Sequence, residues 1–279
     1  MMYKTILLHL HDIRRAELLL QAAVPLARDM NAHLTALAVV PPYIVVPGMD
    51  SATSVTIDEH RDLYRAEMAK LKTAFADATA GQPLQTEWRE ADAGFNTVAG
   101  AIIDHGRCAD LIIASQADPK WVNSSLFEDP VRLAMESGRP VLIVPNDGRM
   151  SSPPKRVTVA WNGRREAARA VFDAMPLLQR AKDVNIVWIN PEQEHPRVGD
   201  LPTAEICAAL SRHGVKAQGS QASAIGADVG PELLRQASVF GSDLLVMGCY
   251  GHSRLREFIL GGASLYALRH MSLPILMSH

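Results

Sequence analysis

The sequence predicts an α/β protein with two domains in tandem, each a five-stranded parallel sheet that helices cover on both faces. Two observations support this fold class. Short apolar runs alternate with longer amphipathic segments along the chain, which is the pattern of buried parallel strands connected by helices. The alternation then restarts after a linker, Asn146–Lys155, in which glycine, serine and proline are concentrated. We therefore expect one domain over residues 1–146 and a second over residues 155–279.

The first half predicts the order β-α-β-α-β-α-β-α-β. Its strands are expected in YKTILLHL, HLTALAVV, LQTEWRE, DLIIAS and PVLIVP. Its helices are expected in RRAELLLQAAVPLARDM, around Ile57–Ala78, from about Asn96, and before the last strand. The segment Pro41–Ser54 follows the second strand and has no helical period, so it lies at the carboxyl edge of the sheet, where such folds bind ligands. It is either a lid over a ligand or a surface excursion against a neighbouring domain.

The second half repeats this order, which indicates that both halves share one fold. Lys4 aligns with Lys155, and Asp110-Leu-Ile-Ile-Ala aligns with Asp243-Leu-Leu-Val-Met. The expected strands are KRVTVAWNG, DVNIVWIN, VKAQGSQ, DLLVMG and PILMSH. The expected helices are REAARAVFDAMPLLQRA, a segment around Ala204–His213, one from Pro231 and one from Leu255. The last strand is a candidate pairing edge.

Composition and charge argue against several classes of protein. The net charge is −2 and no Lys/Arg-rich run is present, so we do not expect nucleic-acid binding. No apolar run approaches the roughly 18 residues of a membrane span. The three cysteines, Cys108, Cys207 and Cys249, are scattered and form no CxxC pair. A disulfide framework and a zinc-finger-like site are therefore not expected, and we predict a cytoplasmic location.

One glycine-rich stretch, MGCYGHSRLREFILGGAS, connects a predicted strand to a predicted helix. It contains Gly248, Gly251, Gly261 and Gly262. Glycine permits a positive φ and lets an anion approach the backbone without a Cβ in the way. The first amides of a helix lack partners within the helix and lie at its positive end, so such a stretch can bind phosphate without a lysine. The competing interpretation is an ordinary turn.

The sequence resembles a tandem universal stress protein. ATP-binding members of that family carry Gly-x2-Gly-x9-Gly-(Ser/Thr) after the fourth strand, and Gly248, Gly251 and Gly261 match this motif. The chain departs from it at Gly262, where a hydroxyl is lost, although Ser264 is close by. The resemblance covers the whole chain and is most specific in VTVAWNGRREAARAVFDAMPLL and LGGASLYALRHMSLPILMSH. It implies two Rossmann-like domains of the adenine nucleotide alpha hydrolase-like type.

The resemblance also implies a function and a site. The second half would bind an adenine nucleotide, most directly ATP with or without magnesium, in a stress-response regulator. Asn162 stands where family members carry an acidic residue near the ribose and adenine, and Ile189 stands near the adenine. The residues expected at the nucleotide are Asn162, Ile189, Met247, Gly248, Gly251, His252, Ser253, Arg254, Gly261, Gly262, Ala263 and Ser264.

The first half lacks the glycine pattern. Ser115 stands where Gly248 does, and Asp118 stands where Gly251 does. Counting back from the last strand places Phe127 and Glu128 at the glycine pair. Carboxylates would repel phosphate and Phe127 would fill its space, so we expect the first half to have lost nucleotide binding.

Two other functions remain open at this stage. One is an interaction module whose nucleotide site has decayed, and the other is a slow ATPase or a related nucleotidyl transferase. The sequence has no Walker lysine motif and no Gly-x-Ser-x-Gly elbow. Phosphoryl transfer requires charge neutralisation, for which only Arg254 is evident, so we expect weak hydrolysis at most. We expect no catalytic residue and no bound structural metal, and an internal pseudo-dimer that could itself form a homodimer.

Three further features have two interpretations each. His9 and His11 point to one side of the first strand and could bind zinc with His33 or a carboxylate, or they could be hydrogen-bonded strand-end residues. Cys249 could be a reactive thiol near a helix start, or a small residue packed beneath the loop. Asp104, His105 and Glu166 are interpreted as solvated faces or helix ends.

Overall fold

The computed structural model describes residues 2–42, 57–147, 150, 152–191, 203–224, 229–249 and 262–279. The strands of the first half are β1 (Thr5–His9), β2 (His33–Val40), β3 (Thr86–Asp92), β4 (Leu111–Ser115) and β5 (Val141–Val144). Its helices are α1 (Ile13–Met30), α2 (Ile57–Thr79), α3 (Val98–Gly106), α4 (Ser124–Phe127) and α5 (Pro130–Glu136). The predicted alternation of strands and helices is confirmed there.

The second half follows the same order. Its strands are β6 (Arg156–Ala160), β7 (Asp183–Ile189), β8 (Ala217–Ala222), β9 (Leu244–Gly248) and β10 (Ile275–Ser278). Its described helices are α6 (Arg165–Asp173), α7 (Met175–Leu178), α8 (Ala204–Arg212), α9 (Val229–Phe240) and α10 (Ala263–His270). The prediction of a single helix over REAARAVFDAMPLLQRA is wrong. The segment divides at Ala174 into α6 and α7. The division lies just before Pro176, which cannot donate a backbone hydrogen bond.

All ten strands form one continuous sheet in the order β3-β2-β1-β4-β5-β10-β9-β6-β7-β8. Strands within each half are parallel, as predicted. The two half-sheets join through antiparallel pairing of β5 with β10, where Ile143 lies opposite Ile275. The last strand is therefore a pairing edge, and its partner is the other half of the same chain.

The two halves also share a hydrophobic core and a set of hydrogen bonds. One cluster of buried side chains includes residues from both halves, among them Leu26 and Leu177. The hydroxyl of Tyr3 donates to the carbonyl of Asp173 at 2.7 Å. The side-chain amide of Gln116 donates to the carbonyl of Leu268, also at 2.7 Å. The tandem repeat is thus packed as a single unit.

The repeat extends to individual hydrogen bonds. The carboxylate of Asp110 accepts from the amides of Lys4 and Thr5. In the second half, the carboxylate of Asp243 accepts from the amides of Lys155 and its neighbour Arg156. Each aspartate precedes the fourth strand of its half and fixes the start of the first, which explains why the two positions align in the sequence. None of the described helices has the length and apolar character needed to cross a membrane.

Candidate functional site

The candidate site of the second half lies where the strand order changes direction. From β6 the chain goes to β7 on one side and later returns to β9 on the other. Ligands of open α/β sheets bind beyond the carboxyl ends of the strands at such a point. Asn162 follows the end of β6, Ile189 ends β7 and Gly248 ends β9. Three residues predicted from the sequence therefore come together at the ends of three adjacent strands.

Gly248 is a glycine because a helix packs against it. A Cβ built at this position would lie 2.6 Å from the carbonyl carbon of Glu166 and 2.8 Å from the amide nitrogen of Ala167. Both distances are far below normal van der Waals contact, so no other residue fits without a shift of α6. Met247, the residue before it, is buried in the core. Packing against α6 therefore requires a glycine at 248, independently of the role predicted for it at a phosphate.

The first turn of α10 lies against the end of β9. Ser264 donates from its hydroxyl to the carbonyl of Gly248 over a long 3.5 Å. Gly262 is the N-cap of this helix, with φ −60° and ψ 149°, and provides no side-chain cap. Gly262 and Ala263 are half-buried. The first amides of α10, which have no partner within the helix, thus begin beside the strand ends that carry the predicted site.

Asn162 and Ile189 complete the described part of the site. The side-chain carbonyl of Asn162 accepts from the amide of Arg164 at 3.2 Å, which forms a turn between β6 and α6. Ile189 is 8% exposed and packs in the core. The next residue, Asn190, has a φ of 53°, and its side-chain carbonyl accepts from the amide of Ala224 at 2.8 Å. The predicted residues Gly251, His252, Ser253, Arg254 and Gly261, and positions 43–54 of the proposed lid, lie outside the described residues.

Two residues at this edge were not predicted as part of the site. Glu166 is buried, so its interpretation as a solvated helix face is wrong, although it does lie in the first turn of α6. Burial alone would raise its pKa, but the hydrogen bond and charge of Arg165 outweigh burial, and the pKa of Glu166 is lowered. His279 donates from Nδ1 to the carbonyl of Cys249 at 2.8 Å. Neither residue shows a periodicity or motif that marks it in the sequence.

A sequence model of the universal stress protein family matches residues 154–279. The chain therefore carries a universal stress protein domain in its second half. It is 24% identical over 159 residues to universal stress protein Slr1230 of Synechocystis, an alignment that covers 56% of this chain. The chain spans about half the length of that relative, 53%.

Solved structures extend the likeness in fold to both halves of the chain. A universal stress protein from Archaeoglobus fulgidus is similar over 98% of this chain and 95% of its own, with a TM-score of 0.76 and 16% identity. A protein of unknown function from Pseudomonas aeruginosa PAO1 is similar over 99% of this chain and 92% of its own, with a TM-score of 0.62 and 15% identity. At these identities the likeness establishes the tandem fold.

The equivalent position in the first half of the chain holds a buried carboxylate. Glu128 accepts from the amide of Asp118 at 2.7 Å, from the hydroxyl of Ser124 at 2.7 Å and from Nε2 of His11 at 3.0 Å. Phe127 beside it is 4% exposed. The predicted replacements therefore do lie together beyond β4, where they occupy the space with protein atoms.

The charge states of Glu128 and His9 follow from their burial and their neighbours. Burial alone would raise the pKa of Glu128, but the hydrogen bonds from His11, Ser124 and the Asp118 amide outweigh burial and lower it. Glu128 is therefore ionised near neutral pH. His9 is fully buried, and burial together with the neighbouring His11 holds the pKa of His9 well below its ordinary value. His9 is therefore neutral.

The zinc interpretation of these histidines does not agree with the described geometry. The rings of His9, at the end of β1, and His11, just after it, are stacked with centroids 5.0 Å apart. His33, however, is paired with Thr5 at the opposite end of the strand. Within the described ranges, no three His, Cys, Asp or Glu side chains are grouped so that they could hold a metal ion. Cys249 is fully buried in the core, which agrees with its packing interpretation.

Proposed function

We propose that the second half of the chain binds an adenine nucleotide, most directly ATP. The observation that carries the proposal is the convergence of Asn162, Ile189 and Gly248 at three adjacent strand ends, with the start of α10 beside them. This is the crevice in which α/β sheets of this topology bind ligands. The domain limits that go with the proposal are residues 1–146 and 155–279.

The phosphates would be bound by backbone amides. The first turn of α10 begins at Gly262, which supplies no capping side chain, so its amides can donate to an anion. The positive end of the helix favours the negative charge. Gly251 and Gly261, together with His252, Ser253 and Arg254, would contribute from the segment between β9 and α10. Ser264 would add a hydroxyl at the same turn.

The base and ribose would lie over β6 and β7. Ile189 offers an apolar surface at the end of β7, and Asn162 offers an uncharged amide that can bond to a ribose hydroxyl or a ring nitrogen. Because Asn162 carries no charge, magnesium, where present, would be held by the phosphates and water.

The first half would not share this activity. The Glu128 carboxylate already accepts from the Asp118 amide, which is the donor that a phosphate would need. A nucleotide would therefore bring its phosphates against a buried negative charge. The chain would bind one nucleotide, in the second half, and act as a stress-response regulator whose partners change with nucleotide state. Its scattered cysteines suit a cytoplasmic location.

Titration of the full-length protein, first freed of any bound nucleotide, with ATP in a calorimeter tests the proposal, and Gly262→Asp is the decisive variant. Aspartate is a favoured N-cap residue and the backbone at Gly262 suits it, so the variant should fold at least as well as the wild type. It also places a carboxylate against the phosphates. We expect saturable binding by the wild type and at least a tenfold loss in the variant. Equal binding by both proteins would contradict the proposed site.

A further inference from the structure

A cavity of about 520 Å³ lies beyond the carboxyl ends of β1 and β4, at the point in the first half where the strand order changes direction. Its lining comes from the start of α1, from α2, and from residues 121–127 around α4. This volume lies within the range of about 300–1,000 Å³ that small organic ligands occupy. Leu63 lines the cavity and is 69% exposed, so the cavity can be reached from solvent.

Aromatic rings form most of one side of this cavity. The rings of Trp121 and Phe127 are stacked with centroids 5.5 Å apart. The ring of His11 lies 5.3 Å from Trp121, and that of Tyr64 lies 5.7 Å from Phe127. All four residues line the cavity. Aromatic side chains at these separations favour a further flat ring that stacks on them or packs edge-on.

The charged side chains around the cavity already have partners. Asp12 forms an ion pair with Arg14 and also caps α1. The guanidinium of Arg14 lies 5.7 Å from the ring centre of Trp121. Glu67 pairs with Lys70 at 2.9 Å. An ionic ligand would have to displace one of these partners, whereas an uncharged ligand would leave them in place.

One polar atom of the lining has a hydrogen-bonding capacity that the described residues do not use. His11 binds the ionised carboxylate of Glu128 through Nε2, so Nε2 carries the proton and donates. In the neutral ring, Nδ1 is then an acceptor. Nδ1 is buried and has no partner among the residues that the structure describes. A buried polar atom of this kind is costly unless a ligand or water satisfies it.

We propose that this cavity binds an uncharged, planar aromatic molecule that carries one N–H or O–H group, such as an indole or a phenol. The ring stacks against Trp121 and Tyr64, the partly exposed members of the aromatic cluster, and a small shift of the lining opens Nδ1 of the buried His11 to the donor. The site is separate from the nucleotide site proposed for the second half and does not depend on it. The first half of the protein thus has a ligand-binding function of its own, for a ligand without phosphates.

Calorimetric titration of the full-length protein with indole tests this proposal. We expect one saturable site per chain. Trp121→Ala should weaken indole binding at least tenfold, and the exposed Leu63→Asp, which adds a charge at the rim, should do the same without loss of core packing. Val122→Ala is the matched control, because Val122 is adjacent to Trp121, is 89% exposed and does not line the cavity. Thermal unfolding of each variant establishes that it is folded.

Three analogues of indole separate the parts of the proposal. 1-Methylindole lacks the donor and should bind several-fold more weakly. Indole-3-carboxylate and tryptamine carry opposite charges, and each should bind at least tenfold more weakly than indole. The proposal is overturned by an absence of saturable indole binding, by equal binding to the wild type and Trp121→Ala, or by a charged analogue that binds as tightly as indole.

Discussion

The carboxylate of Glu128 accepts a hydrogen bond of 2.7 Å from the backbone amide of Asp118, immediately beyond the fourth strand of the first half. The corresponding place in the second half is the glycine stretch, where the proposed ligand is the phosphate of a nucleotide. The two repeats of the chain thus differ in the source of the anion that binds beyond the fourth strand. In the first half the protein supplies it, and in the second we propose that a ligand does.

The Glu128→Gln variant should be less stable than the wild type at pH 7, by about 1–3 kcal/mol. Its amide would face donors that now bond to a buried charge. Because the folded-state pKa of Glu128 is lowered, its stabilising contribution is complete above its ordinary value of 4.5 and is lost as pH falls through the folded-state value. Urea unfolding at pH 7 and below pH 4.5 should therefore show the difference between the proteins shrinking in acid.

Glu136→Gln is the control for that experiment, since Glu136 forms an i,i+4 pair with Arg132 and its side chain is about half exposed. It should change the free energy of unfolding by less than about 0.5 kcal/mol at either pH. An equal effect of the two substitutions would show that Glu128 is not the buried, hydrogen-bonded anion described above.

Replacement of His9 by Gln should reduce the sensitivity of the protein to mild acid. His9 is buried and its pKa is held below the ordinary value of 6.5, so the unfolded state binds a proton that the folded state does not. The wild type should lose up to about 1.4 kcal/mol of stability per pH unit below 6.5 through this residue. Urea unfolding between pH 7.5 and 5.5 measures the slope. An identical slope in the His9 variant and the wild type would contradict the account.

Gly248→Ala should destabilise the second half through steric overlap alone. The new methyl group would lie within 3 Å of three atoms of α6, and overpacking of this kind costs about 1–3 kcal/mol. Gly262→Ala is the control, because the backbone there has a φ of −60° that any residue adopts. Thermal unfolding should show a lower melting temperature for the Gly248 variant and little change for the control. Equal melting temperatures for the two variants would show that α6 does not approach β9 this closely.

Gly262→Ser should tighten ATP binding by roughly 2–10-fold. Serine restores the hydroxyl that the family motif carries at this position, and one added hydrogen bond contributes about 0.5–1.5 kcal/mol. Serine is also a favourable N-cap for α10. Calorimetric titration of both Gly262→Ser and Gly262→Ala with ATP separates the effect of the hydroxyl on affinity from the effect of adding a side chain. Unchanged or weaker binding by the serine variant would place the phosphates away from this turn.

The sequence predicted the repeat well because each half carries its own strong signals. Apolar runs and amphipathic segments fix the strands and helices locally, and aligned anchors such as Asp110 and Asp243 make equivalent hydrogen bonds. The antiparallel pairing of β5 with β10 was not predicted as such. The residue pattern of a strand does not show which distant strand it pairs with. The same holds for His279, which reaches the carbonyl of Cys249 only through the fold.

The site was harder to predict in detail than the fold. Replacement of the glycine pair by Phe127 and Glu128 was evident from alignment of the halves. The three donors around Glu128, however, come from the turn after β1, the segment after β4, and α4. Glu166 was interpreted as a solvated face or a helix end, and it does lie in the first turn of α6. It is buried because the glycine at 248 allows α6 to begin directly against β9. Such close approach is a property of tertiary packing.

The most direct test is to purify the full-length protein without added nucleotide, denature it, and quantify the nucleotide released by chromatography. Gly262→Asp and Gly261→Glu are prepared in the same way. We predict close to one ATP per chain from the wild type and none from either variant. An absence of nucleotide from the wild type, together with no binding on titration, would contradict nucleotide binding. Two nucleotides per chain would instead contradict the loss of the site in the first half.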